Sequence, residues 1–436
     1  MNNSQFERFL LDDLKKWIDR REIYAIKGPR QAGKTTLLKM LENWLVVEKK
    51  VDPKKIVSIT FEDEKLLEKF ARDPKTYVKS FVGLDDSRWY FFIDEFQYLE
   101  KGGRILKLLY DLYPNIKFII TGSSSLELTN KTAKFLVGRV FFFNLWPVTW
   151  AEFLKIRSVQ LYNVYKEKNE EVRKFIKSGQ KLKIATDDIF QEDFRKLFEE
   201  YALWGGYPAV IATSNLETKR IILKNIYNTY ITEDITELLK IADHSLFKRL
   251  VAVLAAQNGN LLNYNNLATD IQSYFKEIKH YLSILEQTYI ISLLTPYSTN
   301  RISELKKSPK IYFINTGLRN YILDNFNSLD SRSDAGVLVE NTAFSFLKFD
   351  APDNRRICFW RTLAGAEVDF VLADEKNIVP IEVKYSNFKF AQVSRSFRSF
   401  LEKYPSNSAL ILTKGFIGET EIGRSNIKFI PVWYLG

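Results

Sequence analysis

A short segment near the N-terminus has the residue types and spacing of a phosphate-binding loop. Gly28 and Gly33 frame this segment, Lys34 and Thr35 end it, and it stands between a β-branched apolar run and a helix-like stretch. Glycines let successive backbone N–H groups point at phosphate oxygens, and a helix N-terminus adds a favourable electrostatic potential. We expect Lys34 to contact the β- and γ-phosphates of ATP, and the Thr35 hydroxyl to bind Mg²⁺. The predicted cofactor-binding residues are Gly28, Pro29, Arg30, Gln31, Ala32, Gly33, Lys34, Thr35 and Thr36.

Two acidic residues, Asp94 and Glu95, follow the aromatic run Trp89–Ile93. Carboxylates at the end of a buried strand are costly unless they serve a cation or a proton. We expect Asp94 to hold Mg²⁺ together with Thr35, and Glu95 to orient and deprotonate the attacking water. The alternative is an ordinary acidic strand end.

Two further polar residues are candidates for catalytic contacts with the terminal phosphate. Ser123 lies in the cluster that follows the predicted strand Ile116–Ile120, where it would sense the γ-phosphate. A serine cluster is also a good helix N-cap, so this alternative stays open. Arg139 precedes the run Val140–Phe143 and is interpreted either as an arginine finger in a neighbouring subunit or as a surface ion pair. The first interpretation requires a homo-oligomer.

The elements that position these residues form an alternating pattern over residues 1–152. Short apolar runs alternate with helix-like stretches, and the runs are Ile23–Ile26, Ile56–Phe61, Trp89–Ile93, Phe118–Ile120 and Val140–Phe143. Their nearly continuous β-branched and aromatic character is typical of parallel strands that are buried on both faces. The pattern predicts an α/β, doubly wound parallel sheet of the P-loop NTPase type.

The middle of the chain changes character twice. Residues 153–242 are helical and highly charged, and Lys166–Gln180 is interpreted as a solvated helix or an insertion. Residues 243–310 follow the order of a winged helix-turn-helix, three helices and a hairpin. One helix would present three residues to a DNA groove, and the hairpin would neutralise phosphates. The candidates are Lys276, Lys279 and His280 on the helix and Arg301, Lys306, Lys307 and Lys310 in the hairpin. Packing of this helix against a neighbouring domain is the alternative.

Carboxylates and a lysine recur within residues 311–436, which read as a separate α/β unit. If the strands around Asp369 and Glu382 form a hairpin, the two carboxylates lie side by side, with Lys384 on the face of Glu382. Such a pair can hold Mg²⁺, while Lys384 orients a water or stabilises developing charge. Glu340, on the preceding helix, is a fourth candidate. A cross-strand ion pair is the alternative.

Taken together, the motifs resemble the archaeal and bacterial AAA-plus ATPases that carry a C-terminal restriction-endonuclease-like domain. The resemblance implies an AAA-plus core (1–152), a helical lid (153–242), a winged-helix domain (243–310) and a nuclease-like domain (311–436). The D…ExK arrangement of Asp369, Glu382 and Lys384 is the nuclease signature of that fold. The resemblance rests on Gly28–Thr36, Phe92–Gln97, Ile120–Ser125, Gly138-Arg139, Leu145–Phe153, Gly205–Pro208, Lys310–Leu318, Glu340-Asn341, Glu367–Phe370 and Pro380–Lys384.

Composition bounds the partners and the class of protein. Of the 436 residues, 46% are hydrophobic and 27% charged, as in globular proteins. The formal net charge of +11 favours a polyanionic partner such as DNA, although a Lys-rich, soluble surface explains the same surplus. The single cysteine, Cys358, suits a reducing cytosol. Because no signal peptide or long apolar stretch is visible, we expect a cytoplasmic protein without a membrane partner.

These features predict an ATPase whose nucleotide state controls engagement of DNA. Mg²⁺-dependent DNA cleavage by the C-terminal domain, gated by ATP, is a further hypothesis. The alternative is a regulatory switch that binds ATP and recruits protein partners, with a nuclease-like domain that cuts nothing.

Overall fold

The computed structural model describes residues 6–82, 87–123, 136–179, 188–234, 243–298, 307–350, 355–375 and 377–436. The chain divides into two compact units: Met1–Val148 with Gln287–Tyr289, and Thr149–Glu286 with Ile290–Gly436. The border at Val148 lies close to the predicted end of the nucleotide-binding domain. The second unit contains most of the three other predicted domains.

The first unit is built on a five-stranded sheet in which all the pairings are parallel. Its strands are β1 (Ile23–Lys27), β2 (Ile56–Thr60), β3 (Trp89–Asp94), β4 (Ile116–Gly122) and β5 (Val140–Asn144), in the spatial order β2-β3-β4-β1-β5. Strand β4 thus separates β1, which leads into the glycine loop, from β3, which ends in the acidic pair. The predicted parallel sheet is confirmed.

Helices cover both faces of this sheet. They are α1 (Leu10–Lys16), α2 (Lys34–Val47), α3 (Glu64–Arg72), α4 (Pro74–Lys79) and α5 (Gly102–Leu112). Leu14 of α1 and Leu41 of α2 belong to one apolar core, whereas Phe70 of α3 and Leu106 of α5 belong to the other. All residues of β3 and β4 are buried, because helices pack against both faces of these central strands.

The second unit begins with five helices: α6 (Trp150–Arg157), α7 (Val159–Ser178), α8 (Gln191–Trp204), α9 (Pro208–Ile211) and α10 (Leu216–Ile226). A π-helical segment, Tyr227–Asp234, follows. One face of α7 is buried, and the Asn169 side chain donates hydrogen bonds to the carbonyl oxygens of Tyr434 and Leu435 at 3.0 and 3.1 Å. The interpretation as a solvated helix therefore applies only to the outer face of α7.

Three helices and a two-stranded antiparallel sheet come next: α11 (His244–Ala256), α12 (Tyr264–Asp270), α13 (Phe275–Gln287), β6 (Ile291–Leu294) and β7 (Lys310–Phe313). This is the element order of the predicted winged helix. Arg301 and Lys306, two of the predicted phosphate contacts, lie outside the described residues.

The C-terminal part is a six-stranded mixed sheet in the order β12-β13-β11-β10-β9-β8. It is preceded by α14 (Thr316–Ile322) and α15 (Ala335–Asp350), and its members are β8 (Arg356–Arg361), β9 (Glu367–Ala373), β10 (Ile378–Lys384), α16 (Arg395–Lys403), β11 (Ser408–Thr413), β12 (Gly418–Ile422) and β13 (Ser425–Pro431). None of the described helices combines the length and the apolar character needed to cross a lipid bilayer.

Candidate functional site

The glycine loop makes a close turn between β1 and α2. A Cβ atom on Gly28 would lie 2.0 Å from the carbonyl oxygen of Leu145, so only glycine fits there. Gly33 has a φ of 95°, a left-handed conformation that glycine adopts without strain. The first hydrogen bond of α2 runs from the N–H of Leu37 to the carbonyl of Gly33. The N–H groups of the first turn, ahead of that bond, are therefore directed out of the helix start, where an anion binds favourably.

Lys34 is the cation of this loop. Its side chain is buried, and its ammonium donates hydrogen bonds to the carbonyl oxygens of Gly28 and Pro29 at 3.2 and 3.1 Å. Glu95 approaches it only to 4.0 Å. Burial lowers the pKa of Lys34, and the charges of Glu95 and Asp94 oppose that shift. A buried ammonium that contacts mainly neutral carbonyl groups is suited to bind a polyanionic ligand such as a nucleoside triphosphate.

The predicted metal ligands of this site come together. The Thr35 hydroxyl donates a hydrogen bond of 2.5 Å to one carboxylate oxygen of Asp94. The other oxygen of Asp94 accepts from the hydroxyl of Thr121, at the end of β4. Hydroxyl and carboxylate oxygens are ligands that Mg²⁺ prefers, and Mg²⁺ at such sites is completed by substrate phosphates and water. The pair Thr35–Asp94 therefore fits a nucleotide-bound Mg²⁺.

Glu95 is held by a residue that the sequence interpretation missed. Glu95 has a φ of 51°, a left-handed conformation unusual for a residue with a side chain. The side-chain amide of Gln97 donates to one carboxylate oxygen of Glu95 and, at 3.1 Å, to the Ser123 hydroxyl. Gln97 is buried and lies two positions after Glu95, in the 3-10 turn that follows β3. The spacing Asp94-Glu95-Phe96-Gln97 was the only sequence signal for it.

The two predicted phosphate contacts outside the loop are placed differently. Ser123 is buried and is joined to Glu95 through Gln97, and its contact with the γ-phosphate stays a prediction. Arg139 instead forms an ion pair of 3.2 Å with Asp111 of the same chain, and both side chains are partly exposed. The ion-pair alternative therefore accounts for Arg139 without a neighbouring subunit, and the arginine finger stays a prediction.

In the C-terminal sheet, the register of β9 against β10 agrees with the predicted hairpin. Ile381 pairs with Phe370, so Asp369 and Glu382 occupy the next pair of positions. Asp369 accepts a hydrogen bond of 2.7 Å from the N–H of Val383. Burial and the charge of Glu340 raise the pKa of Asp369 to about 8, although the nearby Lys310 acts in the opposite direction.

Lys310 is the main departure from the sequence interpretation. It was expected to neutralise DNA phosphates, but its side chain is only 3% exposed and pairs with Glu340 at 3.2 Å and with Glu367. Burial lowers the pKa of Lys310, and the charges of Glu340, Asp369 and Glu367 more than offset this, so that the pKa is raised. The phosphate-contact prediction for Lys310 is wrong, because β7 directs its side chain into the protein.

The carboxylates of the predicted metal pair, Asp369 and Glu382, lie at paired strand positions and have partners within the protein. Both carboxylate oxygens of Glu382 accept from the Ser394 hydroxyl at 3.0 Å, and Lys384 lies 3.1 Å from one of them. Among the described residues, no group of three or more His, Cys, Asp or Glu side chains is arranged to hold a metal ion. Lys384 thus pairs with Glu382 of its own strand, β10, and the ion pair that was the alternative from the sequence forms within one strand and not across two.

The residues predicted to face DNA are exposed on α13. Ile278 and Leu282 are buried in the core, whereas Lys276, Lys279 and His280 lie on the exposed face. Two aromatic residues, Tyr274 and Phe275, are also exposed beside them, and the Lys279 ammonium lies 4.7 Å from the centre of the Phe275 ring.

Three family models match successive parts of the chain. Residues 20–154 match the family model described as "AAA domain". With the loop and the acidic pair at the ends of parallel strands, this match makes the first unit an AAA-type P-loop ATPase domain. Residues 195–329 and 335–435 match models described as "Domain of unknown function (DUF8612)" and "Domain of unknown function (DUF4143)". Because these descriptions name no fold, the restriction-endonuclease-like fold stays a prediction.

Three similar proteins, each described as an uncharacterized protein, match most of the chain. The one from Haemophilus influenzae is 22% identical over 436 residues, covering 98% of this chain and 97% of its own length. The one from Methanocaldococcus jannaschii is 26% identical, covering 85% and 79%, and the one from Mycobacterium tuberculosis is 24% identical, covering 89% and 75%. The similarity to each thus spans both units.

Two solved structures are similar over about three quarters of the chain. The Walker-type ATPase PABY2304 of Pyrococcus abyssi is 14% identical, covers 73% of this chain and 96% of its own, and has a TM-score of 0.44. The Aeropyrum pernix ORC1 protein in complex with DNA is 11% identical, covers 72% and 91%, and has a TM-score of 0.30. Both TM-scores are low, so the class of the first unit rests on its own geometry and on the AAA family model.

Proposed function

We propose that the chain is a Mg²⁺-dependent ATPase whose nucleotide state controls its binding to DNA. The ATPase part rests on one observation, the 2.5 Å hydrogen bond between Thr35 and Asp94 beside the buried Lys34. It places a hydroxyl, a carboxylate and an ammonium at one end of the sheet, next to the start of α2. Phosphoryl transfer needs this combination of positioning and charge stabilisation.

Each residue of the site has a distinct role in this proposal. Lys34 and the loop N–H groups would bind the phosphates, and Thr35 and Asp94 would hold Mg²⁺, which neutralises charge on the phosphate oxygens. Glu95 would accept a proton from the attacking water. Ser123 would report on the terminal phosphate, because it shares a hydrogen-bond partner with Glu95.

The ATPase proposal is tested with two substitutions. Lys34→Ala removes the ammonium and is expected to weaken ATP binding by at least about tenfold, since hydrogen bonds to charged groups contribute about 1.5–3 kcal/mol. Glu95→Gln is expected to keep ATP binding and to lower kcat by about 100-fold or more, because an amide accepts no proton. Binding is measured by titration with a fluorescent ATP analogue and turnover by phosphate release.

Exposed residues of the same types serve as controls. Lys39→Ala on α2 and Glu100→Gln after β3 make the same chemical changes outside the site, and both should leave binding and turnover unchanged. Unchanged hydrolysis in Glu95→Gln would show that another group is the base.

The DNA part of the proposal rests on the exposed face of α13. Two lysines and the Phe275 ring lie there, Tyr274 is exposed directly before the helix, and the opposite face is buried. The helix therefore presents charge and stacking surface at the same place. Lysines neutralise phosphates, and aromatic rings stack on bases. The formal net charge of +11 also favours binding to a polyanion such as DNA.

DNA binding is tested by a single assay of ATP turnover and DNA affinity. Phosphate release is followed with and without single- and double-stranded DNA, and DNA integrity is checked in the same tube. Affinity should fall steeply between about 50 and 200 mM salt, and Lys276→Ala or Lys279→Ala should each reduce the salt slope by about 1. Affinity that depends on neither substitution would favour the alternative, an ATP-dependent switch that recruits protein partners.

DNA cleavage is not part of this proposal. The contacts of Lys310 in the C-terminal carboxylate cluster argue against a metal site there.

A further inference from the structure

The carboxylates of the C-terminal part already surround a positive charge of the protein. Lys310 extends from β7, where its ammonium lies 3.2 Å from Glu340 on α15 and contacts Glu367 on β9. Asp369, two residues further along β9, lies close enough for its charge to act on Lys310. The Lys310 ammonium thus faces three carboxylates that come from two different elements, and one of them, Glu367, also pairs with Arg361 at 2.7 Å.

Other protein groups donate hydrogen bonds to the carboxylates of Glu340, Asp369 and Glu382. The Tyr312 hydroxyl donates to Glu340 at 2.5 Å, and the N–H of Val383 donates to Asp369 at 2.7 Å. Glu382 accepts from the Ser394 hydroxyl and pairs with Lys384. Each of the three acidic residues predicted for a nuclease site therefore has partners within the chain.

A divalent cation and the ammonium compete for the same oxygens. Mg²⁺ requires near-octahedral coordination at about 2.0–2.1 Å, and it is repelled by a positive charge that lies among its ligands. The ammonium is anchored through a buried strand, so moving it out would leave a cation without its partners in the interior.

We propose that Lys310 is the resident cation of the cluster Glu340–Glu367–Asp369, in place of a divalent metal ion. In this arrangement the cluster connects β7 to α15 and β9, and the C-terminal part holds no Mg²⁺ with which to cut DNA. Asp369, Glu382 and Lys384 then keep the spacing of a nuclease site without its metal chemistry.

The first test measures Mn²⁺ binding to the nucleotide-free wild-type protein by electron paramagnetic resonance. Asp369→Asn is compared with the wild type, because both proteins keep the same ATP site. We expect the same number of bound ions and the same affinity in both proteins. Loss of one bound Mn²⁺ in Asp369→Asn would overturn the proposal, as would Mn²⁺-dependent DNA cutting that Asp369→Asn abolishes.

The second test removes the cation. Lys310→Met keeps most of the side-chain volume but removes the ammonium from Glu340 and Asp369 and leaves Glu367 with Arg361 alone. We expect the Tm to fall by about 5–15 °C, since breaking a buried ion pair is strongly destabilising. Mg²⁺ or Mn²⁺, at matched ionic strength, should then restore part of the loss in the variant and change little in the wild type. An unchanged Tm in Lys310→Met would contradict the proposal.

Two further variants separate the role of charge from that of packing. Lys310→Arg keeps the positive charge and should lose less stability than Lys310→Met. Lys307→Met makes the same chemical change at an exposed position three residues earlier and should leave the Tm unchanged. If Lys310→Met does not fold, the Mn²⁺ comparison on the folded wild-type and Asp369→Asn proteins decides the proposal alone.

Discussion

Replacement of Gln97 by leucine tests whether Glu95 depends on a neighbour for its position. Glu95 stands at a turn with a φ of 51°, and the Gln97 amide donates a hydrogen bond to one of its carboxylate oxygens. Leucine has nearly the volume of glutamine but donates no hydrogen bond. The substitution therefore removes the links to Glu95 and Ser123 while the packing beside β3 changes little.

The expected size of the effect follows from the charge of the acceptor. A hydrogen bond to a charged group contributes about 1.5–3 kcal/mol, whereas one between neutral groups contributes about 1 kcal/mol. If the bond to Glu95 serves to orient the carboxylate in the transition state, its loss lowers kcat by about 10- to 100-fold, at about 1.4 kcal/mol per factor of ten. KM should change little, because Gln97 contacts neither Lys34 nor the glycine loop.

Steady-state phosphate release over a range of ATP concentrations separates kcat from KM. Gln97→Glu is expected to be at least as damaging as Gln97→Leu, because it places a second negative charge beside Glu95. Gln160→Leu, the same change at an exposed position of α7, serves as the control for the loss of an amide.

Two results would contradict the proposed role of Gln97. Unchanged kcat in Gln97→Leu would mean that Glu95 is positioned without Gln97. A raised KM at constant kcat would mean that Gln97 affects nucleotide binding rather than the carboxylate.

Two further predictions concern the same unit. Gly28→Ala should abolish ATP binding in the titration assay or lower the Tm, because its Cβ would meet the backbone oxygen of Leu145 at 2.0 Å; normal affinity and Tm would show that the loop shifts freely. Burial lowers the pKa of Lys117 to about 7. Because the unfolded chain then binds more protons above that pH, the free energy of unfolding should rise by up to about 1.4 kcal/mol per unit between pH 7 and 10, relative to Lys117→Met. Parallel pH profiles of the two proteins in denaturant unfolding would contradict the pKa shift.

Elements of the fold were predictable from the sequence where the pattern of apolar residues lies within the element itself. The five strands of the first sheet were recognisable because each is a largely apolar run. The two central strands, β3 and β4, are continuous runs, as burial on both faces demands. Strand β12 was missed, since Gly418–Ile422 contains two glutamates and lies at the edge of its sheet. The buried face of α7 was also missed, because its partners are at the other end of the chain.

The residues of the nucleotide site were predictable because each of them meets a local requirement. A loop that needs glycine for its backbone, a lysine and a threonine at the start of a helix, and an acidic pair at the end of a buried strand are all local requirements. They bring Thr35 and Asp94 together as soon as the strands are parallel.

The partners of the remaining charged residues depend on long-range packing. The packing of β7 against α15 and β9, which are distant in sequence, determines whether Lys310 contacts DNA or three carboxylates. The ion pair between Arg139 and Asp111 likewise depends on the arrangement of neighbouring elements. The same holds for the hydrogen bonds by which Gln97 joins Glu95 to Ser123. Ion pairs between residues that are distant in sequence produce no periodic sequence pattern, because the two residues come close to each other only in the folded protein.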